Sequence, residues 1–194
     1  LWRGRLNMDH YIDITLRPDP EFPPAILMNA LFSKLHRGLV DWGGRDIGVS
    51  FPDVAPGKRA LGARLRLHGS KVSLQQLMDN GWMHGMRDHT EIGVTTAVPI
   101  ETSYRVVRRV QAKSSPERLR RRLMARKAIE AEEARTAIPD SAAEMLTLPY
   151  VEIRSRTTGQ QFKLFIEHLP LQASPTSGEF GSYGLSQSAS VPWF

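Results

Sequence analysis

Between Arg105 and Lys127 the chain reads RVVRRVQAKSSPERLRRRLMARK, ten Lys/Arg against a single acid, Glu117, for a local charge of +9. No apolar core can absorb such a run, because an unpaired buried charge is too costly. The segment must lie at the surface, and the rest of the chain must fold so as to hold it there. The whole chain carries only +6, so the remainder sums to −3 and the basic character is local. Concentrated positive charge of this kind fits a polyanionic partner, with nucleic acid first in line. A merely solvated helix face interleaves its cations with acids, which this one does not.

The basic segment has two parts. Arg105 to Lys113 is β-prone and carries Arg109 and Gln111 two residues apart, so a strand projects both to one side. Their side chains suit bidentate readout of a guanine and an adenine edge. Ser114-Ser115-Pro116-Glu117 then starts a helix, capped from Ser114 or from Ser115 with Pro116 in the first turn. At about 100° per residue, Arg118, Arg121, Arg122, Ala125 and Arg126 share an arc of roughly 140°. Leu119 and Leu123 form a narrow apolar strip by which the helix can dock. The guanidiniums are then free to lie along phosphates.

Upstream, the pattern is regular. Ile12, Ile14 and Leu16 alternate with Tyr11, Asp13 and Thr15, the signature of a half-buried strand. A proline-rich turn follows, and Pro24 opens a helix with Leu27, Leu31 and Leu35 four apart, ending near Trp42-Gly43-Gly44. Ile47, Val49 and Phe51 mark a second strand, Leu65 and Leu67 a third. Ser73 is read as the cap of a short helix, and a last strand is expected from about Glu91 to Val98. The order β-α-β-β-α-β predicts an α+β chain with a ferredoxin-like N-terminal domain, both helices on one sheet face. That fold hosts many functions and decides none.

The expected organisation is a ferredoxin-like domain over residues 8–100 and a smaller, less regular α+β domain over 101–194 that carries the arginine-rich helix. Met8 reads as a natural start, so residues 1–7 are expected to be an extension without a role. In the second domain an acidic, alanine-rich helical stretch spans Glu130 to Ala137, and 141–146 reads as one more helical turn. Tyr150–Arg156 and Gln161–His168 form a hairpin, and the final Trp193-Phe194 should anchor the tail. The chain has no cysteine, which excludes thiolate metal sites and disulfides and fits a reducing compartment. No apolar run approaches the roughly 20 residues of a membrane span, so a cytoplasmic protein is expected.

Among possible chemistries, His84, Asp88 and His89 match no metal-site spacing, and no P-loop, HExxH or GxSxG pattern occurs. No metal and no cofactor are expected. RNA would supply its own nucleophile: the 2′-hydroxyl attacks the adjacent phosphate and leaves a 2′,3′-cyclic phosphate and a 5′-hydroxyl. The protein then aligns the attack and accepts the 2′ proton. A histidine suits the base role. His36, in SKLHRG, falls off the leucine stripe and is free for it, although a helix-surface histidine is more often inert.

MDHYIDITLRPDPEFPPAILMNALFSKLH, RVQAKSSPERLRRRLM, the RS-x-x-TGQ-x-F-x-LFI hairpin, YGLS and the final VPWF together mark a resemblance from Met8 to Phe194. The chain resembles the Csy-type CRISPR-associated endoribonucleases of subtype I-F systems, which cut repeat hairpins to make guide RNA. The resemblance implies a stem-loop held by an arginine-rich helix, cut at its 3′ base and retained, within a surveillance complex. It implies His36 as general base, Ser155 holding the attacking nucleotide or its proton, and Tyr183 orienting His36. It matches Arg109 and Gln111 to base readout at the lower stem and Phe162 to stacking beside the cut. Arg121, Arg122 and Arg126 match phosphate- and groove-facing arginines. Ala125 and Lys127 depart from the family's arginine and histidine, which bears on affinity and not on catalysis. The competing reading is a subunit that holds structured RNA without cutting it; a DNA-binding regulator is weaker, since no helix-turn-helix is visible.

Overall fold

In the computed structural model, which describes residues 8–111, 116–139, 147–155 and 159–194, the alternation of Ile12, Ile14 and Leu16 forms β1 (His10–Leu16). All three side chains are buried. The caps read at Ser114 and Ser115, the helical turn at 141–146, part of the hairpin turn (156–158) and the extension 1–7 lie outside the described residues.

Helix α1 (Pro24–Trp42) starts without a side-chain cap, using Pro24 in its first turn, where a missing N–H costs nothing. It stops at Gly43, whose φ of 78° lets its N–H return to the Leu39 carbonyl. Leu27, Leu31, Leu35 and Leu39, with Met28 and Phe32, point into the core. The chain continues through β2 (Gly48–Ser50), β3 (Arg64–Gly69), α2 (Lys71–Asp79), a short 3₁₀ turn (Arg87–His89), β4 (Thr90–Ile92) and β5 (Thr96–Ala97). Beyond lie β6 (Ser103–Val110), α3 (Pro116–Lys127), α4 (Ala131–Ala137), β7 (Tyr150–Arg154), β8 (Gln161–His168) and β9 (Ser190–Trp193). The architecture is α+β, with two antiparallel sheets and four α-helices among the described residues.

The first sheet has the order β2-β3-β1-β4, with β5 also on β1. Ile12 sits opposite Leu67 and Ile14 opposite Leu65, so one face is continuously apolar, and α1 and α2 pack on it. Two sequence expectations change here. The cap of α2 is Ser70, whose Oγ accepts from the Ser73 N–H at 3.0 Å, while Ser73 Oγ donates to Asp46. The strand expected from Glu91 to Val98 is broken. Gly93 N–H bonds Asp13 O at 2.8 Å, and Val94 bulges outward before β5 resumes pairing.

The second sheet has the order β7-β8-β6-β9. The last strand pairs with β6, placing Ser103 opposite Trp193 and Arg105 opposite Val191. Gly48 permits a close approach to it: a Cβ there would lie 2.6 Å from Val191 Cγ1 and 2.7 Å from Phe180 Cε1. On the side of the first sheet away from the helices, the nearly buried Arg66 makes a two-point pair with Asp13, at 2.6 and 2.9 Å. Its guanidinium lies 4.0 Å from the Phe194 ring centroid and 4.6 Å from that of Tyr11. Arg105 lies in the same way 4.6 Å over Trp193, so both terminal aromatics are anchored.

The chain divides into two compact units, Leu1–Arg109 with Leu148–Phe194, and Val110–Thr147. Both sheets, α1 and α2 belong to the first unit and share one apolar core. In the second unit α3 and α4 pack on each other, Ala134 is buried, and Arg120 Nε donates to the Ile138 carbonyl at 2.7 Å.

Candidate active site

Helix α1 carries its leucines inward, which leaves His36 on the flank of the apolar stripe and half-buried. It lines a cleft of about 330 Å³ together with Arg37, Ser155, Phe162 and Tyr183. Four residues that the sequence singled out, spread over almost 150 positions, thus border a single cavity.

The imidazole is held from two directions. Its Nδ1–H donates to the Ser182 carbonyl at 2.8 Å. A carbonyl can only accept, so the neutral ring keeps its proton on Nδ1 and Nε2 carries the lone pair. Its face stacks on Tyr183, with centroids 4.0 Å apart and planes 15° from parallel. Tyr183 in turn lies parallel to the buried Phe32, at 6.1 Å, which ties the stack to the core. The turn that delivers Tyr183 ends in Gly184, where φ is 68° and a Cβ would lie 2.6 Å from Val49 Cγ1.

Ser155 follows β7, and its backbone closes the hairpin: its N–H donates to Gln160 O at 2.9 Å and its carbonyl accepts from Gly159 at 2.8 Å. Phe162 stands on β8 opposite Ile153 and is half-exposed. Arg109, on β6, places its guanidinium 5.7 Å from the Phe162 centroid and 5.6 Å from that of Tyr183. Its carbonyl accepts from Gln187. The basic strand is thereby sorted. Arg105 bonds Leu169 O and stacks on Trp193, and Arg108 pairs with Glu167 at 2.7 Å. Arg109 has no ion pair among the described residues and lies beside the cleft's aromatics.

In the second unit, Gln111 is exposed, one residue past the end of β6. Along α3 the residues Arg118, Arg121, Arg122, Ala125, Arg126 and Lys127 are exposed, while Leu119, Arg120, Leu123 and Met124 are half-buried. None of Arg118, Arg121, Arg122 and Arg126 makes an ion pair among the described residues. The helix therefore keeps a bare cationic face and spends one arginine, Arg120, on structure.

Sequence reasoning missed Arg37 and Asp41, which also line the cleft, and the Ser182 carbonyl that fixes the imidazole. Arg37 could have been found from its place next to His36; a backbone carbonyl leaves no trace in residue identity. Among the described residues no group of three His, Cys, Asp or Glu side chains is arranged to hold a metal ion, and no helix is long and apolar enough to cross a membrane.

Residues 11–194 match the protein family described as CRISPR-associated protein (Cas_Csy4). The chain belongs to the Csy4 family. Two relatives agree with that membership. The CRISPR-associated endonuclease Cas6/Csy4 of Pseudomonas aeruginosa (strain UCBPP-PA14) is 57% identical over 187 residues, covering 96% of this chain and 100% of the relative. The protein of the same name from Escherichia coli (strain UTI89 / UPEC) is 47% identical over the same shares of both chains. The Csy4 assignment thus spans both sheets, the His36 cleft and the arginine-bearing helix, and agrees with the resemblance read from the motifs.

Proposed function

We propose that this Csy4-family chain is an endoribonuclease that processes CRISPR repeat RNA, cutting at the 3′ base of the repeat stem-loop. The observation that carries the reading is the His36 ring, with Nδ1–H committed to Ser182 O and Nε2 left as the basic nitrogen of a side chain lining the cleft. Nε2 accepts the 2′-hydroxyl proton as O2′ attacks the adjacent phosphorus. The P–O5′ bond breaks, and the 5′ oxygen takes up a proton to leave as a hydroxyl. The products are a 2′,3′-cyclic phosphate and a 5′-hydroxyl. Because the nucleophile belongs to the substrate, the chemistry asks for alignment and a base, and a metal-bound water is not required.

In this reading Ser155 holds the attacking nucleotide or its proton, Tyr183 orients His36, and Phe162 stacks on the base bordering the cut. Arg109 and Gln111 read bases at the lower stem. Arg118, Arg121, Arg122 and Arg126 grip phosphates, since an A-form major groove is too narrow for side chains to read along most of its length. The β-α-β-β-α-β order over residues 8–100 with the sheet order β2-β3-β1-β4 supports a ferredoxin-like N-terminal domain, and residues 101–194 supply RNA recognition. The enzyme keeps the stem-loop product and works in the cytoplasm within a CRISPR surveillance complex.

The test is incubation with the repeat RNA in EDTA. Cleavage is expected to persist and to stop when the nucleotide just upstream of the cut is 2′-deoxy. Loss of cutting in EDTA, or cutting of the deoxy RNA, overturns the mechanism.

A further inference from the structure

We propose that the single strand of RNA downstream of the cut leaves along a second groove on α1, where Lys34 and Arg37 receive its phosphates. This rests on the reading above that the His36 cleft cuts RNA, and it adds a binding site which that reading does not contain.

Arg37 and Asp41 line the His36 cleft and also a neighbouring cleft of about 270 Å³. The neighbour's other walls are Lys34, Gly38, Asn80, Gly81 and Trp82. The two cavities therefore adjoin along one ridge of the helix, on which Lys34, Arg37 and Asp41 follow at three- and four-residue spacing. Neither Lys34 nor Arg37 makes an ion pair or side-chain hydrogen bond among the described residues, and Arg37 is exposed. Asp41 is the acid in both linings, and Lys34, Arg37 and Arg154 outnumber it three to one. A strand carrying one negative charge per nucleotide meets a net attractive path there.

The wall of this groove is built rather than incidental. Trp82 packs so closely on α1 that a Cβ at Gly38 would fall 2.7 Å from its Cβ. Asn80 fastens the approach, donating to the Gly38 carbonyl and accepting from the Trp82 N–H, both at 3.1 Å. A different cleft reaches α1 at Leu39 and Val40, but its cation, Arg45, is already paired with Glu179 at 2.8 Å. Arg109, over Phe162 and Tyr183, marks the stem's side of the active site. Phosphates beyond the cut are then drawn toward Arg37 and Lys34.

Two repeat RNAs made uncleavable by a 2′-deoxy nucleotide test this, one ending a single nucleotide past the cut and one ending about eight past it. The wild-type protein is expected to bind the longer RNA about tenfold more tightly, the scale of a charge-assisted phosphate contact. In the Lys34→Ala/Arg37→Ala double variant that ratio falls to about one. The slope of log affinity against log salt for the longer RNA drops by about 0.7 per lost phosphate contact. Arg37→Lys, which keeps the charge, retains part of the ratio. Equal wild-type affinities, or a ratio that the folded double variant preserves, overturn the proposal. Failure of the nuclease reading shows separately, as wild-type protein that binds the all-ribose RNA of either length and leaves it uncut.

Discussion

The imidazole of His36 lies face to face with the phenol ring of Tyr183, 4.0 Å between centroids, while its edge is bonded to the carbonyl of Ser182, the residue just before. A single turn thus supplies both the stacking plane and the hydrogen bond that fix the ring. The face contact comes from a side chain and the edge contact from a backbone oxygen, so substituting Tyr183 tests the stack without deleting the acceptor.

Tyr183→Phe keeps the stack and is expected to retain most of the cleavage rate. Tyr183→Ala removes it; with an aromatic pair contributing about 0.5–1.5 kcal/mol, the rate should fall by between about twofold and about tenfold. Single-turnover cleavage of repeat RNA measures both. A Phe variant as slow as the Ala variant points to the hydroxyl instead of the ring.

His36→Ala removes the proposed base. The cleavage rate is expected to drop by about 10²- to 10⁴-fold, with affinity for the stem-loop little changed. Parallel binding and cleavage assays check it. Unchanged cleavage leaves the chain as a holder of RNA.

Exposed arginines on α3 should act on affinity alone. Arg121→Ala is expected to lose about 1.5–3 kcal/mol of binding, the range of one hydrogen bond to a charged group. It should also lower the salt slope by about one. Ala125→Arg should move both quantities the other way, because Ala125 shares the exposed cationic face. Filter binding over a salt series reads out each variant.

Acid should destabilise the fold through two imidazoles outside the His36 cleft. His68 is fully buried, with Nε2 bonded to Ser50 at 2.8 Å; its Nδ1, like the buried Nε2 of His168, has no hydrogen-bond partner among the described residues. Burial, with Arg66 nearby, pushes His68 down to about 3; burial, with Arg105 nearby, pushes His168 down to about 4. Unfolded, each titrates near 6.5, so below about that pH the unfolded chain binds more protons than the folded one. Stability is expected to fall from about pH 6.5 downward, by at most about 1.4 kcal/mol per pH unit for each ring. The His168 contribution ends below about pH 4, and the His68 contribution below about pH 3. Thermal melts from about pH 7.5 to about pH 4.5 follow the decline, which His168→Gln should make shallower.

Much of this was legible in the residues. Period-two alternation located β1 and its buried face, leucines four apart located α1, and Gly43 located its end. The arc of arginines on α3 and the leucine strip beside it emerged as exposed and half-buried sides. Misreadings came where side chains compete for one role. Ser70 and Ser73 both stand near the start of α2, and exposed Val72 hid the helix's first turn from the apolar period. In the basic strand, charge counting treated all cations alike, whereas Arg105 and Arg108 are bound up in Trp193 and Glu167. His36 was visible as a base looking for work, and the resemblance pointed to Ser155 and Tyr183. The grip of Ser182 was not visible, since it comes from a backbone oxygen.

That grip joins positions 146 apart in sequence. A ribosome that has made α1, α2 and even the basic helix α3 has still not made the turn that holds the imidazole. Alignment of the imidazole therefore waits until the chain through Ser182 has been made, well after the exposed arginines of α3. Premature stops in this last stretch also remove β9 and the buried Val191, so they should cost the sheet its edge strand as well as the imidazole its anchor.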